Sequence, residues 1–424
     1  MKCVGISGWR AWPLAIVIGG ALALAGVPIP PAHAAQPIKI GFSMPLTGAL
    51  AGGGKASLLS MQIWAEDVNK NGGLLGRPVE LVYHDDQTKP ANVPGIYSKL
   101  LDVDKVDFVV SSYGTAVISA ALPLVMERRL VFMGLGGTGV NERFKYPNYF
   151  QIMPMGPDPR RNFSTGFFEV VKKLNPKPQT IALLSEDAEF ATNAVHGARE
   201  NAKEAGLKII YDKTYPPGMT DLTPVVRSIK ALNPDIVFVG SYPPGSVGII
   251  QAAQEVKMKP KVFGGAMVGL QFAAVQAKLG SMLNGILNFD FWVPEPTLKF
   301  PGIDAFLEKY QAQAPKLGID PYGHYMAPWA YAYVQVIGQA IEATKSLDQK
   351  KVADYIRSQT HGTIVGKVKF GSNGEWLNSR TLQIQFQNIK GNSIVQFKGP
   401  GKRVVLWPEE WKSGKLIYPY AMAK

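Results

Sequence analysis

Short runs in which apolar residues fall on every second position alternate with stretches of helical spacing. Ile38, Ile40 and Phe42 alternate as in a strand, and Met61, Trp64 and Val68 then fall on one helix face. Val79, Leu81 and Tyr83 give a second strand. Further strand-like runs occupy 106–112, 130–135, 180–185, 207–211, 235–242 and 261–264. Between them, 116–129, 192–205 and 247–257 read as helices. This succession predicts an α/β fold of parallel sheets covered on both faces.

The pattern repeats. Val79–Tyr83 resembles Lys208–Tyr211, and Asp107–Val110 resembles Asp235–Phe238, each pair 128 positions apart. Arg129–Gly134 resembles Pro260–Gly264. Three matches in one order predict two lobes of one topology. The strand ends read Pro45–Gly48, Ser111–Thr115, Gly136–Gly139, Ser241–Pro244 and Gly264–Ala266. Open parallel sheets bind ligands beyond these carboxyl ends. Glycines, hydroxyls and helix N-termini there suit a carboxylate, and they supply no acid–base pair for catalysis.

The 424 residues suffice for two domains, with 46% hydrophobic and 18% charged positions as in a globular chain. Residues 1–35 read as a signal peptide. Lys2 and Arg10 precede an apolar run from Pro13 to Val27, prolines 28, 30 and 31 break it, and Ala32-His33-Ala34 supplies a cleavage signal. Cleavage is expected after Ala34 or Ala35. A membrane anchor would need roughly 20 apolar residues, and this run is shorter. Cys3 is the single cysteine, so the mature chain carries no disulfide, thiolate metal site or cysteine nucleophile. A lipid-anchored cysteine would follow the apolar run, so a periplasmic location is expected. The net charge is +13, and +11 without Lys2 and Arg10. Its lysines are scattered rather than clustered, which with export argues against a nucleic-acid partner.

Several motifs imitate catalytic ones. Gly134-Leu135-Gly136-Gly137-Thr138-Gly139 fits G-x-G-x-x-G, but the stretch behind it is short and stops at Pro147. Gly52-Gly53-Gly54-Lys55-Ala56 lacks the hydroxyl of a phosphate loop and reads as a flexible loop at a cleft rim. His84-Asp85-Asp86 puts neighbours on opposite strand faces, and His196, His324 and His361 stand alone. No cofactor, metal or catalytic residue is called for.

Ile40–Gly48, Glu66-Asp67-Val68-Asn69, Gly72–Leu81 and Asp85-Asp86 follow one another along the early chain, and Trp407-Pro408-Glu409-Glu410 and Gly414-Lys415-Leu416 close it. This set resembles the leucine/isoleucine/valine-binding family of periplasmic solute-binding proteins, type I periplasmic binding proteins that serve ABC transporters. The resemblance implies two Rossmann-like lobes with parallel sheets and three hinge crossings. It sets lobe 1 at 36–155 and 286–361, lobe 2 at 156–285 and 362–395, and a tail at 396–424 packing on the lobes.

Family contacts carry over residue by residue. Two loops hold the α-carboxylate in amino-acid binders; Thr115, beside Ser112 and Tyr113, matches one, and Gly137 with Thr138 matches the other. Phe190 and Tyr242 match second-lobe aromatics. The acidic residue that pairs with the α-ammonium is matched by Ala266, beside Met267. The implied ligand is a small organic acid, aromatic or branched aliphatic, without an amino group. A register shift of one or two residues would bring Glu186, Asp187 or Asp290 to that role and restore branched-chain amino acid binding. Tyr325 and Trp329 read as core.

The leading expectation is therefore a monomeric transport receptor that closes on its ligand and delivers it to an inner-membrane ABC permease. A ligand sensor for a membrane signalling partner would share the fold and cleft. An exported enzyme is disfavoured by the missing catalytic constellation.

Overall fold

The computed structural model describes Ala11 and residues 36–423, so the leader expected at 1–35 otherwise lies outside the described residues. The first apolar run forms β1 (Ile38–Met44), followed by β2 (Val79–Asp85), β3 (Phe108–Val109), β4 (Phe132–Gly134) and β5 (Tyr149–Gln151). The next set is β6 (Thr180–Glu186), β7 (Lys208–Tyr215), β8 (Ile236–Ser241), β9 (Val262–Met267) and β10 (Leu287–Asp290). Later come β11 (His361–Thr363), β12 (Gly366–Val368), β13 (Leu382–Phe386) and β14 (Arg403–Trp407).

The expected repeat is visible in the strand order. One sheet runs β2-β1-β3, and β4 pairs with β5. The bridge between Tyr113 and Leu135, with Ser111 N–H on the Met133 carbonyl, joins these pieces into β2-β1-β3-β4-β5. The larger sheet contains the same succession, β7-β6-β8-β9-β10, again parallel, with β13 and β14 added antiparallel at its end. Every pair of matching sequence runs thus occupies equivalent strands.

β6 and β8 carry apolar residues on both faces because helices cover the sheet on each side. Ile38, Ile40 and Phe42 are fully buried, as are Ile181–Leu184 of β6. Helices Ala51–Lys70 and Thr115–Glu127 flank the first sheet, and Pro159–Val171, Glu189–Glu204 and Pro243–Glu255 flank the second. Where helix Glu189–Glu204 packs on helix Pro159–Val171, Gly197 permits the close approach: a Cβ there would lie 1.9 Å from the Arg160 carbonyl oxygen. No helix among the described residues is long and apolar enough to cross a membrane.

Among the described residues the chain passes between the sheets three times, at about 152–158, 291–302 and 369–381. Two of these places differ from the sequence expectation. The return to the first lobe was set at 286, but β10 first extends the larger sheet through Asp290. The last crossing was set at 361, but the β11–β12 hairpin stays with helix Ala327–Thr344, where Gln339 Nε2 donates to the Gly362 carbonyl. The tail also contributes β14, the edge strand of the larger sheet. Short strands at a chain reversal look alike whichever sheet receives them.

Gly52–Lys55 also differs from expectation. It forms the first turn of helix Ala51–Lys70 instead of a loop. Its glycines allow close approach: a Cβ on Gly53 would lie 2.4 Å from the Tyr113 ring, and one on Gly54 2.1 Å from the Pro45 carbonyl oxygen.

Candidate functional site

Because the strands in each set are parallel, their carboxyl ends gather at one edge, and there a cavity forms. Tyr113, Gly114, Thr115, Gly136 and Thr138 line it from the loops after β3 and β4. Phe190, Tyr242 and Val268 follow β6, β8 and β9, and Phe163 reaches in from helix Pro159–Val171. Met153, Met155 and Phe291 come from two of the crossings, and Tyr325 completes the wall. The empty volume between the two halves is about 330 Å³.

The polar end is built on a helix start. Gly114 has φ 121°, a conformation that favours glycine, and turns the chain into helix Thr115–Glu127. That helix has no side-chain cap and no acidic residue in its first turn. Its first N–H groups therefore present partial positive charge beside the cavity. Thr115 Oγ1 accepts from Thr138 N at 3.2 Å and donates to the Gly136 carbonyl at 3.4 Å. Thr138 Oγ1 donates to Met155 Sδ at 3.4 Å.

The opposite end is aromatic. Phe190 lies 5.7 Å from Tyr242 and 5.4 Å from Phe163, and Phe291 stacks on Tyr325 at 6.4 Å. Burial pushes the Tyr113, Tyr242 and Tyr325 phenols up, so they are uncharged at neutral pH.

No Asp, Glu, Lys or Arg is among the described residues that line the cavity. The three acids that a register shift would have offered do not reach it. Asp187 is exposed, and Glu186 accepts from the backbone N–H of Tyr242 at 2.8 Å. Asp290 lies behind the wall, accepting from Phe291 N at 2.9 Å and from Arg403 Nη1 at 3.2 Å. Arg403 Nη2 in turn donates to His324 Nδ1 at 2.7 Å.

Burial pushes the Asp290 carboxyl up to about 6, against the opposing pull of Arg403 and two backbone N–H groups. The folded chain therefore holds this proton more tightly than the unfolded chain does. Its contribution to stability is full below about pH 4 and is lost as pH rises through the folded value. Between pH 4.5 and 7.5, Tm of the native chain should fall relative to that of Asp290→Asn as pH rises. Parallel Tm curves would contradict this assignment.

Of the residues singled out in the sequence, the cavity brings together Thr115, Thr138, Tyr113, Phe190 and Tyr242. Ser112 turns inward and donates to Asp86, and Gly137 is replaced in the lining by Gly136. The Gly137 carbonyl accepts from Gln151 Nε2 at 2.7 Å. Ala266 and Met267 are still in the β8–β9 ladder, and Met267 N–H donates to Asn288 Oδ1 at 3.0 Å. The lining begins one residue later, at Val268. Tyr325, read as core, faces the cavity, while Trp329 is fully buried outside its lining. Met153, Met155, Phe163 and Phe291 were not anticipated; only the Met153-Pro154-Met155 break after β5 marked a segment of special geometry.

Contacts across the cleft hold the halves together. Asn193 Nδ2 donates to the Thr138 carbonyl at 2.8 Å, Ser119 Oγ donates to Glu189 Oε1 at 2.7 Å, and Arg160 pairs with Glu142 at 2.8 Å. Among the described residues no three His, Cys, Asp or Glu side chains gather to hold a metal ion.

Comparison with known proteins places this architecture. The periplasmic binding protein family matches residues 37–386. A Leu/Ile/Val-binding protein homolog 8 from Brucella suis is 24% identical over 415 residues, covering 95% of this chain and 98% of its own. A leucine-binding protein from Thermotoga maritima superposes with TM-score 0.71 at 19% identity, covering 83% of this chain and 96% of its own. An ABC transporter solute-binding protein from R. palustris, solved with benzoate, gives TM-score 0.72 at 16% identity, covering 88% of this chain and 96% of its own. Proteins of this family bind small molecules and work with ABC transporter permeases. The chain belongs to the periplasmic binding protein family, whose members are solute-binding receptors.

Proposed function

We propose that this receptor closes around a small organic acid that carries no amino group and has an aromatic or branched aliphatic body. The observation that carries the reading is the cavity's charge pattern: an uncapped helix start and two threonines at one end, rings elsewhere, and no carboxylate among the described lining residues. A carboxylate would find N–H and hydroxyl donors at Thr115 and Thr138. An α-ammonium would lose its water without gaining a counter-charge, which costs several kcal/mol. The benzoate held by the R. palustris relative is an acid of the proposed kind.

Each half supplies part of the wall, so ligand gains its full contacts only in the shut form and selects it. On this reading residues 1–35 export the chain to the periplasm, and a monomer delivers its acid to an inner-membrane ABC permease.

Calorimetry and thermal shift on residues 36–424 should show binding of benzoate, 4-hydroxybenzoate or 4-methyl-2-oxopentanoate, and no response to leucine. Ligand at a hundred times its dissociation constant adds about 2.7 kcal/mol, which a melting curve resolves. Tight leucine binding with no response to the acids would overturn the proposal in favour of amino-acid transport.

A further inference from the structure

Arg380 is a buried cation, and among the described residues no carboxylate pairs with it. Its guanidinium carbon lies 4.8 Å from the centre of the Trp376 ring, 4.9 Å from Phe300, 5.4 Å from Trp329 and 5.6 Å from Trp411. Nη2 donates to the Val365 carbonyl at 2.6 Å, and Nε has no hydrogen-bond partner among the described residues. Burial lowers the guanidinium to about 9, against the opposing pull of Glu410, so it remains charged at neutral pH. A desolvated cation held by ring faces draws its stabilisation from their quadrupoles, an attraction that depends on geometry.

The place of this cage matters more than its strength. Arg380 and Trp376 belong to the third crossing. The Arg380 backbone N–H donates to the Pro154 carbonyl at 2.7 Å, and Trp376 Nε1 donates to the Ile152 carbonyl at 2.8 Å, both on the first crossing. Phe300 belongs to the second crossing, and Trp411 follows β14 of the larger sheet. Trp329 comes from helix Ala327–Thr344 on the other side. The Arg380 side chain therefore touches the second and third connections between the halves, while its backbone N–H and its cage partner Trp376 tie it to the first. It also reaches the ligand wall indirectly: Trp329 packs edge-on against Phe291 at 6.1 Å, and Phe291 lines the cavity.

We propose that Arg380 is a positioning residue for ligand capture: caged by Trp376, Phe300, Trp329 and Trp411, it locks the three crossings in the shut arrangement and sets the Phe291 wall through Trp329. The proposal deepens the receptor reading and rests on it for the closure that accompanies binding. Arg380→Met keeps the length and loses the charge. Arg380→Lys keeps the charge and loses the planar fork.

Two measurements test it. The first is the distance between labels on Val103→Cys and Leu232→Cys, exposed positions on opposite halves, in residues 36–424; Cys3 lies outside this span, so no other thiol interferes. The second is the benzoate dissociation constant, taken well below Tm. Without added acid, Arg380→Met should shift the label distances to longer values than the native background shows. With benzoate its affinity should fall by about tenfold or more, and Arg380→Lys should restore part of both. Trp411→Leu serves as the milder variant should Arg380→Met fail to fold, with the same expected direction.

A loss of Tm with label distances and affinity unchanged would reduce Arg380 to a purely structural residue and overturn the proposal. If the native chain ignores benzoate, the acid reading is in error, and the label distances without ligand still decide the role of Arg380.

Discussion

A Phe163→Ala chain should lose about 3–5 kcal/mol of folding free energy, the range for truncating a buried phenylalanine. Phe163 is 3% exposed and sits where four rings converge, 4.6 Å from Phe289, 5.4 Å from Phe190 and 6.1 Å from Phe291. Those neighbours are anchored on separate elements: Phe289 on β10, Phe291 on the crossing behind it, and Phe190 in helix Glu189–Glu204. They cannot all collapse into the gap, so most of the lost contact stays lost. Urea unfolding at constant pH measures the change. A loss under about 1 kcal/mol would mean that the cluster repacks freely. The same substitution opens the cavity, so a bulkier acid should recover affinity that benzoate loses.

Thr115→Val should weaken acid binding by about tenfold to a hundredfold while leaving the melting temperature of the free protein within a few degrees. The two side chains have nearly the same shape, so the change removes a hydroxyl and little packing. A hydrogen bond to a charged group contributes about 1.5–3 kcal/mol, which sets the range through the tenfold-per-1.4 kcal/mol relation. Thr115 Oγ1 also accepts the Thr138 N–H, so its loss loosens both polar loops at once. Calorimetric titration with benzoate reads the effect, and an unchanged dissociation constant would take Thr115 out of the site.

The arrangement of strands was legible in the chain because parallel strands are apolar on both faces and the halves share one pattern. Tyr83 and Tyr211 announce β2 and β7, and Asp107 and Asp235 stand just before β3 and β8. The polar loops were legible for a related reason, since Thr115 and Thr138 follow strand ends. Register at those ends was not. Ser112 and Tyr113 are adjacent, yet one points to Asp86 and the other to the cavity, a choice made by a single step of the pleat. The ladder continues to Met267, three residues beyond the run at 261–264 that alternation marks. Met153 and Phe291 stood outside any periodic pattern, because a crossing segment has no repeating face to display. The three glycines at 52–54 imitated a loop, and only the proximity of Pro45 and Tyr113 reveals why a helix needs them.

The neutral lining of the cleft bears on how cargo leaves it. On the proposed acid reading, an anion held by amide dipoles and hydroxyls, with no cationic side chain among the described lining residues, would form no ion pair that must later be broken. Retention then depends on shielding from water more than on a fixed countercharge, and the grip should vanish once solvent enters between the halves. A permease that merely prises the receptor apart would thereby empty it, with no competing anion or proton required for release.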